Sequence, residues 1–122
     1  MAEPNEGDLL QASIDRVWSE RDDERRLQAI GEIYGVDATM YDPVSPATGH
    51  AAMSKLVAGV LADMPPGFRF VVTGPTLSNH GMYLARWQGR TPDGAVIVSG
   101  SDAARIVDGK IQEHWFFFDP KD

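Results

Sequence analysis

The chain contains no cysteine, and this absence excludes several classes of protein at once. Without cysteine there is no disulfide framework, no thiolate zinc site, no iron–sulfur cluster and no cysteine nucleophile. A sequence free of disulfides is typical of a reducing compartment. We therefore expect a cytoplasmic protein whose fold depends on an ordinary hydrophobic core.

Positive charge is scarce as well. Eighteen acidic residues against eleven basic ones give a net charge of −7 at neutral pH. Such a charge repels phosphate backbones and anionic lipid head groups. We expect no nucleic-acid partner, although the charge by itself names no substrate and suits solubility equally well.

Long apolar runs are also missing. No segment approaches the roughly 20 apolar residues of a membrane span, and residues 1–10 carry acidic side chains where a signal peptide needs positive charge. We therefore expect neither export nor membrane association. What remains is a chain of 122 residues, 43% hydrophobic and 24% charged, which fits one globular domain over residues 1–122.

The first half of the chain has helical spacing. Apolar residues recur every three or four positions from Leu10 to Trp18, behind Asp8 as a candidate cap. The charged run 19–26 is interpreted as a solvated turn, followed by a second short helix over 27–34. A third helix is predicted over 51–62. Helices therefore dominate before the proline pair at 65–66.

Strand signals dominate the second half. A short strand over Ala38 to Asp42 is followed by a proline-containing loop, and beyond Pro65 four runs alternate with turn residues such as Asp108-Gly109. These runs cover 68–78, 82–90, 95–107 and 110–119. Helices gathered before an antiparallel meander indicate an α+β domain, in which a twisted sheet curls around the helices and encloses a pocket.

Asp102 is the one charged residue on an otherwise apolar strand face. That face also carries Val96, Val98, Gly100, Ala104 and Ile106. A carboxylate there is costly unless it is paired, hydrogen-bonded or protonated, as catalytic acids often are. We therefore regard Asp102 as a candidate catalytic residue, the alternative being a structural aspartate hydrogen-bonded near a bulge.

The last run carries large apolar groups on both faces. One face should line the core. The other apolar face would be buried most simply against the same sheet of a second copy, which predicts a homodimer through the outer face. His114 lies in this run as a candidate catalytic residue or as a satisfied structural histidine. His50 and His80 lie in loops or turns, and their spacing forms no metal-ligand pattern.

Several segments resemble a known superfamily. Residues 34–53, with the Asp42-Pro43 pair, are similar to the segment joining helix, short strand and third helix in the nuclear transport factor 2-like superfamily, closest to its ketosteroid isomerase and SnoaL-like polyketide cyclase branch. Residues 87–90, 101–111 and 113–115 resemble that branch's meander. The resemblance implies a cystatin-like cone of N-terminal helices packed on a curved antiparallel sheet, usually dimeric.

The resemblance also implies roles for individual residues. Asp42 falls where ketosteroid isomerases keep the aspartate that moves the proton, and Asp102 falls where they keep the protonated aspartate of the oxyanion hole. The chain departs from the pattern at Trp18, where the resemblance calls for a hydrogen-bonding tyrosine. An indole N–H can donate a hydrogen bond but cannot act as a phenol acid.

These observations predict a cofactor-independent isomerase or cyclase. Asp42 would abstract a proton α to the carbonyl of a small apolar substrate, polycyclic ones included, and Asp102, with Trp18 or His114, would hold the enolate. The alternatives are a turn aspartate at Asp42 and a non-catalytic small-molecule-binding module. An epoxide hydrolase is disfavoured because no arginine lies two residues from Asp102. The expected pocket wall, for which core packing is the alternative role, comprises Trp18, Met53, Phe68, Phe70, Tyr83, Trp87, Phe116 and Phe118.

Overall fold

The computed structural model describes residues 7–120, which form three helices packed on a mixed sheet of seven strands. Residues 1–6, whose Glu3 and Glu6 enter the expectation about export, lie outside the described part. The helices are α1 (Gly7–Arg16), α2 (Asp23–Ile33) and α3 (His50–Ala62). The strands are β1 (Tyr34–Tyr41), β2 (Pro46–Thr48), β3 (Arg69–Val72), β4 (Leu77–Asn79), β5 (Met82–Arg90), β6 (Val96–Val107) and β7 (Lys110–Phe118).

The strands are ordered β2-β1-β7-β6-β5-β3, and β4 also pairs with β5. The antiparallel meander of β5, β6 and β7 is confirmed. The expectation of a wholly antiparallel sheet is wrong at one place, since β1 runs parallel to β7. A parallel neighbour needs a long connection, which α3 and the meander supply. This pairing places the end of β1 beside the end of β7.

The second helix begins earlier than predicted. Asp22 caps it by accepting a backbone N–H of the first turn, and the helix runs from Asp23. Arg26, inside the predicted solvated turn, is buried. Its guanidinium donates to the Ser54 hydroxyl at 3.0 Å, to the Glu20 carbonyl at 2.7 Å and to the Asp23 carboxylate. Half of the charged run is therefore helical, and one of its charges anchors α2 to α3.

The predicted strand over 68–78 is two strands. β3 ends at Val72 and β4 begins at Leu77, and the chain leaves the sheet between them at Gly74-Pro75. Proline lacks the N–H that a ladder needs, so the break falls at this pair. The predicted Asp108-Gly109 turn is confirmed, because both residues have positive φ, +53° and +76°.

β1 also begins earlier than predicted, with a bulge between Tyr34 and Thr39. The imidazole Nε2 of His50, the first residue of α3, donates to the carbonyl oxygens of Tyr34 at 3.1 Å and Gly35 at 2.9 Å. The amide end of the Gln112 side chain packs directly over Gly35, where a Cβ would lie 2.4 Å from it. The bulge fixes Tyr34 at the point where α2 meets the sheet.

The core lies between the helices and the inner face of the sheet. The alternation predicted for β6 is confirmed, since Gly100, Asp102, Ala104 and Ile106 are buried. Side chains on the outer face of the sheet, such as Leu84, remain exposed. Within residues 7–120, no helix is long and apolar enough to span a membrane.

Candidate functional site

Asp102 lies in the middle of β6 with 1% of its surface exposed, and both its carboxylate oxygens have partners. The indole Nε1 of Trp87 donates to Oδ1 at 2.6 Å, and the Nε2 of His114 lies 2.8 Å from Oδ2. The sheet register explains both contacts. Asp102 pairs with Ala85 on β5 and Phe116 on β7, and its two partners lie two residues away on the same face of those strands.

A glycine makes room for the Trp87 ring. Trp87 pairs with Gly100 across the β5–β6 ladder. A Cβ at Gly100 would lie 2.5 Å from the indole ring and 2.1 Å from the carbonyl oxygen of Phe117. The missing side chain is thus what allows the indole to reach Asp102.

The hydrogen bonds continue beyond His114. Its Nδ1 lies 2.7 Å from the Tyr34 hydroxyl, which in turn lies 2.6 Å from the Ser13 hydroxyl. We call Ser13, Tyr34, His114, Asp102 and Trp87 the buried polar chain, since none is more than 3% exposed. It is fully satisfied when Ser13 donates to Tyr34, Tyr34 to neutral His114, and His114 and Trp87 to an ionised Asp102.

The pKa of Tyr34 is set mainly by its burial. Burial raises the pKa of the hydroxyl far above the ordinary value, opposed by the Ser13 hydroxyl, reinforced by the Asp102 charge and opposed again by the Trp18 indole. Tyr34 therefore remains a neutral hydroxyl. The Nε1 of Trp18 is buried and, among the described residues, has no hydrogen-bond partner of normal geometry. Such a donor is costly to bury and suits an acceptor oxygen from a ligand or water.

Asp102 and Trp18 share the wall of a small space, here called the inner cavity. Its volume is about 10 Å³, close to what one water molecule needs. Its wall comprises Ile14, Trp18, Phe70, Trp87, Asp102, Phe116 and Phe118. Asp102 is the one ionisable residue of this wall. All of these residues except Ile14 belong to the predicted site, so the structure brings six of its members together, Asp102 included.

Three predicted pocket residues lie elsewhere. Met53 and Phe68 are buried in the core and do not line the inner cavity. Phe68 packs edge-on against Phe70 with ring centroids 4.9 Å apart, so it supports the wall from behind. Tyr83 lies on β5, partly buried against the core. Sequence alternation could not separate core from cavity, because both are apolar.

Asp42 follows the end of β1 and is half-buried. Its Oδ2 accepts the backbone N–H of Val44 at 3.2 Å, which is the local contact expected of an aspartate before proline. Asp42 does not line the inner cavity. It lines a separate space, here called the outer cleft, of about 480 Å³. The wall of the outer cleft comprises Tyr41, Asp42, Pro43, Trp115, Phe116, Phe117 and Phe118.

The inner cavity and the outer cleft are neighbours. Phe116 and Phe118 belong to both walls. Tyr41 pairs with Trp115, and Asp102 pairs with Phe116, so β7 lies between the two carboxylates. Two strand spacings correspond to about 10 Å. β7, whose Phe116 and Phe118 line both spaces, therefore separates the two carboxylates.

Tyr34 and Ser13 were missed by the sequence interpretation. Tyr34 stands at the end of an apolar helical stripe and Ser13 lies beside one, so neither gives a local signal of function. Their role depends on β1 lying beside β7, which brings residues 80 positions apart into contact. Within residues 7–120, no three histidine, aspartate or glutamate side chains form a metal-ligand group.

Comparisons with known proteins agree with this architecture. Residues 11–114 match the model of the SnoaL-like domain. A solved candidate isomerase of the SnoaL-like family from Agrobacterium tumefaciens superposes with a TM-score of 0.84 at 24% identity, covering 93% of this chain and 96% of that chain. Comparison with curated protein sequences gives no significant match.

More distant structures share the fold. A candidate polyketide cyclase from Sinorhizobium meliloti has a TM-score of 0.69 at 14% identity, covering 89% of this chain and 93% of its own. A candidate ketosteroid isomerase from Kribbella flavida has a TM-score of 0.71 at 16% identity, covering 96% and 79%. Other solved neighbours are described as nuclear transport factor 2-like or as having a cystatin-like fold. The match over most of the chain shows that this protein belongs to the SnoaL-like domain family.

Proposed function

We propose that this chain is a cofactor-independent isomerase or cyclase that moves a proton α to the carbonyl of a small apolar substrate. One observation carries the proposal: Asp102 stands in the wall of an apolar cavity, with His114 at 2.8 Å. A carboxylate and an imidazole hydrogen-bonded out of water form an acid–base pair.

We also propose that the protein is cytoplasmic, because a sequence without cysteine is typical of a reducing compartment.

Asp102 is the proposed proton acceptor. The C–H bond α to the carbonyl breaks, its proton moves to the Asp102 carboxylate, and the electron pair passes to the carbonyl oxygen as an enolate. The indole N–H of Trp18, which has no hydrogen-bond partner of normal geometry among the described residues, donates to that oxygen. Return of the proton from Asp102 to another carbon of a conjugated enolate gives isomerisation. Attack of the enolate carbon on a second carbonyl, whose oxygen then takes the proton from Asp102, gives ring closure. Neither outcome requires a metal or an organic cofactor.

His114 and Trp87 position the base. Each donates to one Asp102 oxygen, so the carboxylate is fixed while a lone pair of each oxygen stays free. The inner cavity holds about one water, so a substrate must displace part of its wall. Phe118 is the side chain suited to this movement, because it is 41% exposed at the end of β7.

Asp42 is the competing base predicted from the sequence. Among the described residues only the Val44 N–H contacts its carboxylate, so a lone pair is available in the outer cleft. In that scheme Asp102 is the neutral donor of the oxyanion hole. We favour Asp102 as the base, since it lines the inner cavity together with the Trp18 indole, whereas Asp42 lies outside that cavity.

Names of structural neighbours support the class of reaction. They include a candidate SnoaL-like isomerase, a candidate polyketide cyclase and a candidate ketosteroid isomerase. Enolate chemistry is common to isomerisation and to aldol-type ring closure. The second candidate function, a non-catalytic binding module, is favoured by the outer cleft, whose volume of about 480 Å³ could hold a small molecule away from Asp102.

The test is deuterium exchange at the α-carbon of a panel of cyclic and polycyclic ketones in heavy water. The native protein should catalyse exchange with at least one ketone, and Asp102→Asn should lower the rate at least about 100-fold. Asp42→Asn, the matched carboxylate-to-amide control, should keep most of the rate. Loss of exchange in Asp42→Asn alone would assign the base to Asp42. Saturable binding of the ketones without any exchange would favour the binding module.

We also propose a homodimer through the outer face of the sheet. Exposed apolar side chains from several strands share this part of the surface, among them Leu77, Leu84 and Phe117. Sedimentation equilibrium should give twice the chain mass of 13.4 kDa. Phe117→Glu should give the monomer mass. Leu27→Glu, which places the same charge on exposed α2, should leave the dimer intact.

A further inference from the structure

We propose that the outer cleft binds an organic cation, an amine or a quaternary ammonium group, with Asp42 as its counter-ion. This inference goes beyond the proposed function and does not depend on it, because the proposed base, Asp102, does not line the outer cleft, although Phe116 and Phe118 belong to both walls. It rests on the shape of the cleft, its aromatic wall and its charge.

The cleft exists because β7 is longer than its neighbour. β1 ends at Tyr41, since the following Asp42-Pro43 pair turns away and proline cannot extend a ladder. β7 continues to Phe118, paired only with β6 along its last residues. The resulting notch measures about 480 Å³, within the usual size of small-molecule sites.

Aromatic rings supply most of the wall. Tyr41 and Trp115 stack with ring centroids 5.3 Å apart and an angle of 8°. Phe118 is 41% exposed, which leaves much of its ring open to a ligand. A cation within about 6 Å of an aromatic face is attracted by the ring quadrupole, most strongly by tryptophan.

Charge selects a cation over other ligands. Asp42 is the one ionisable carboxylate in the wall, and among residues 7–120 no arginine or lysine lines the cleft. The Val44 N–H is its single hydrogen-bond donor within the described chain. An anion would be repelled, and a neutral ligand would cover the carboxylate without supplying a compensating charge. The net charge of −7 further favours the approach of cations.

The test compares two probes of the same shape. Choline carries a quaternary ammonium group, and 3,3-dimethylbutan-1-ol is its neutral counterpart. Each probe is titrated at one fixed protein concentration, and binding is followed by the ¹H–¹⁵N NMR signal of the Trp115 indole. Choline should bind at least about tenfold more tightly than 3,3-dimethylbutan-1-ol. Added salt should weaken choline binding and leave the alcohol unchanged.

Variants locate the site. Asp42→Asn retains an acceptor for Val44 and should weaken choline binding about tenfold, while Asp63→Asn, an exposed carboxylate at the end of α3, should have no effect. Phe118→Leu should weaken choline binding about threefold. Equal affinity for the two probes, no choline binding, or equal loss in Asp42→Asn and Asp63→Asn would overturn the proposal. Unchanged far-ultraviolet circular dichroism shows that each variant is folded.

Discussion

The inner cavity and the outer cleft each contain one carboxylate, in opposite surroundings. Asp102 is 1% exposed, accepts from two side chains and borders a space for about one water. Asp42 is half-buried, accepts one backbone N–H and borders about 480 Å³. The contrast teaches that surroundings decide what a carboxylate is suited to do. Fixation out of water suits proton transfer, whereas an open aromatic wall suits recognition.

The largest expected effect comes from removing the buried carboxylate. Asp102→Ala leaves the N–H groups of Trp87 and His114 without an acceptor in a closed apolar site, so the free energy of unfolding should fall by about 3–5 kcal/mol. Asp42→Ala removes one exposed contact and should cost less than about 1 kcal/mol. Urea titrations measure both. Equal losses would remove the distinction between the two sites.

A methyl group at Gly100 should destabilise the packing of β5, β6 and β7 around Asp102. In Gly100→Ala the new Cβ would lie 2.1 Å from the Phe117 carbonyl oxygen, so strands must shift and stability should fall by about 1–3 kcal/mol. Gly59→Ala is the matched control, since that helical position has open space. It should gain up to about 1 kcal/mol. Thermal unfolding that shows no loss for Gly100→Ala would argue against the tight packing of Trp87.

Tyr34→Phe should cost about 1–2 kcal/mol, because His114 and Ser13 lose a shared hydroxyl. The pH dependence provides a second readout. Burial raises the pKa of Tyr34, so its contribution to stability is complete below the unfolded value of about 10 and is lost as pH rises above it. Urea titrations between pH 8 and 11 should show a steeper alkaline loss for the native protein than for Tyr34→Phe. The same slope in both would contradict a buried neutral hydroxyl.

The smallest effect concerns the exposed end of β7. Arg86 and Ser99 donate to Asp119 and lower the pKa of its carboxyl to about 2. The folded pKa is below the unfolded one, so the stabilisation is present above about pH 4 and is lost as pH falls towards 2. Carbon-13 titration of Arg86→Ala should show the pKa of Asp119 rising towards the ordinary value. An unchanged pKa would mean that the ion pair does not hold this strand end.

Strand alternation placed Asp102 on the inner face, and the resemblance indicated the fold, so both could be predicted from the sequence. The companions of Asp102 were less predictable. His114 was a candidate, but its contact with Tyr34 requires the parallel pairing of β1 and β7, which no local pattern encodes. Arg26 was assigned to solvent because charge usually implies exposure, whereas three acceptors allow its burial. The sequence therefore did not predict two kinds of feature: the pairing of strands far apart in the chain, and the hydrogen bonds that allow a charged side chain to be buried.

The central claim is that Asp102 is a carboxylate ready to accept a proton, with neutral His114 donating to it. Nitrogen-15 chemical shifts of the His114 ring test this most directly. We predict a proton on Nε2 and an accepting Nδ1 in the native protein, and the reversed tautomer in Asp102→Asn, where the amide donates instead. A proton on Nδ1 with an unprotonated Nε2 in the native protein would place the proton on Asp102 and contradict the account.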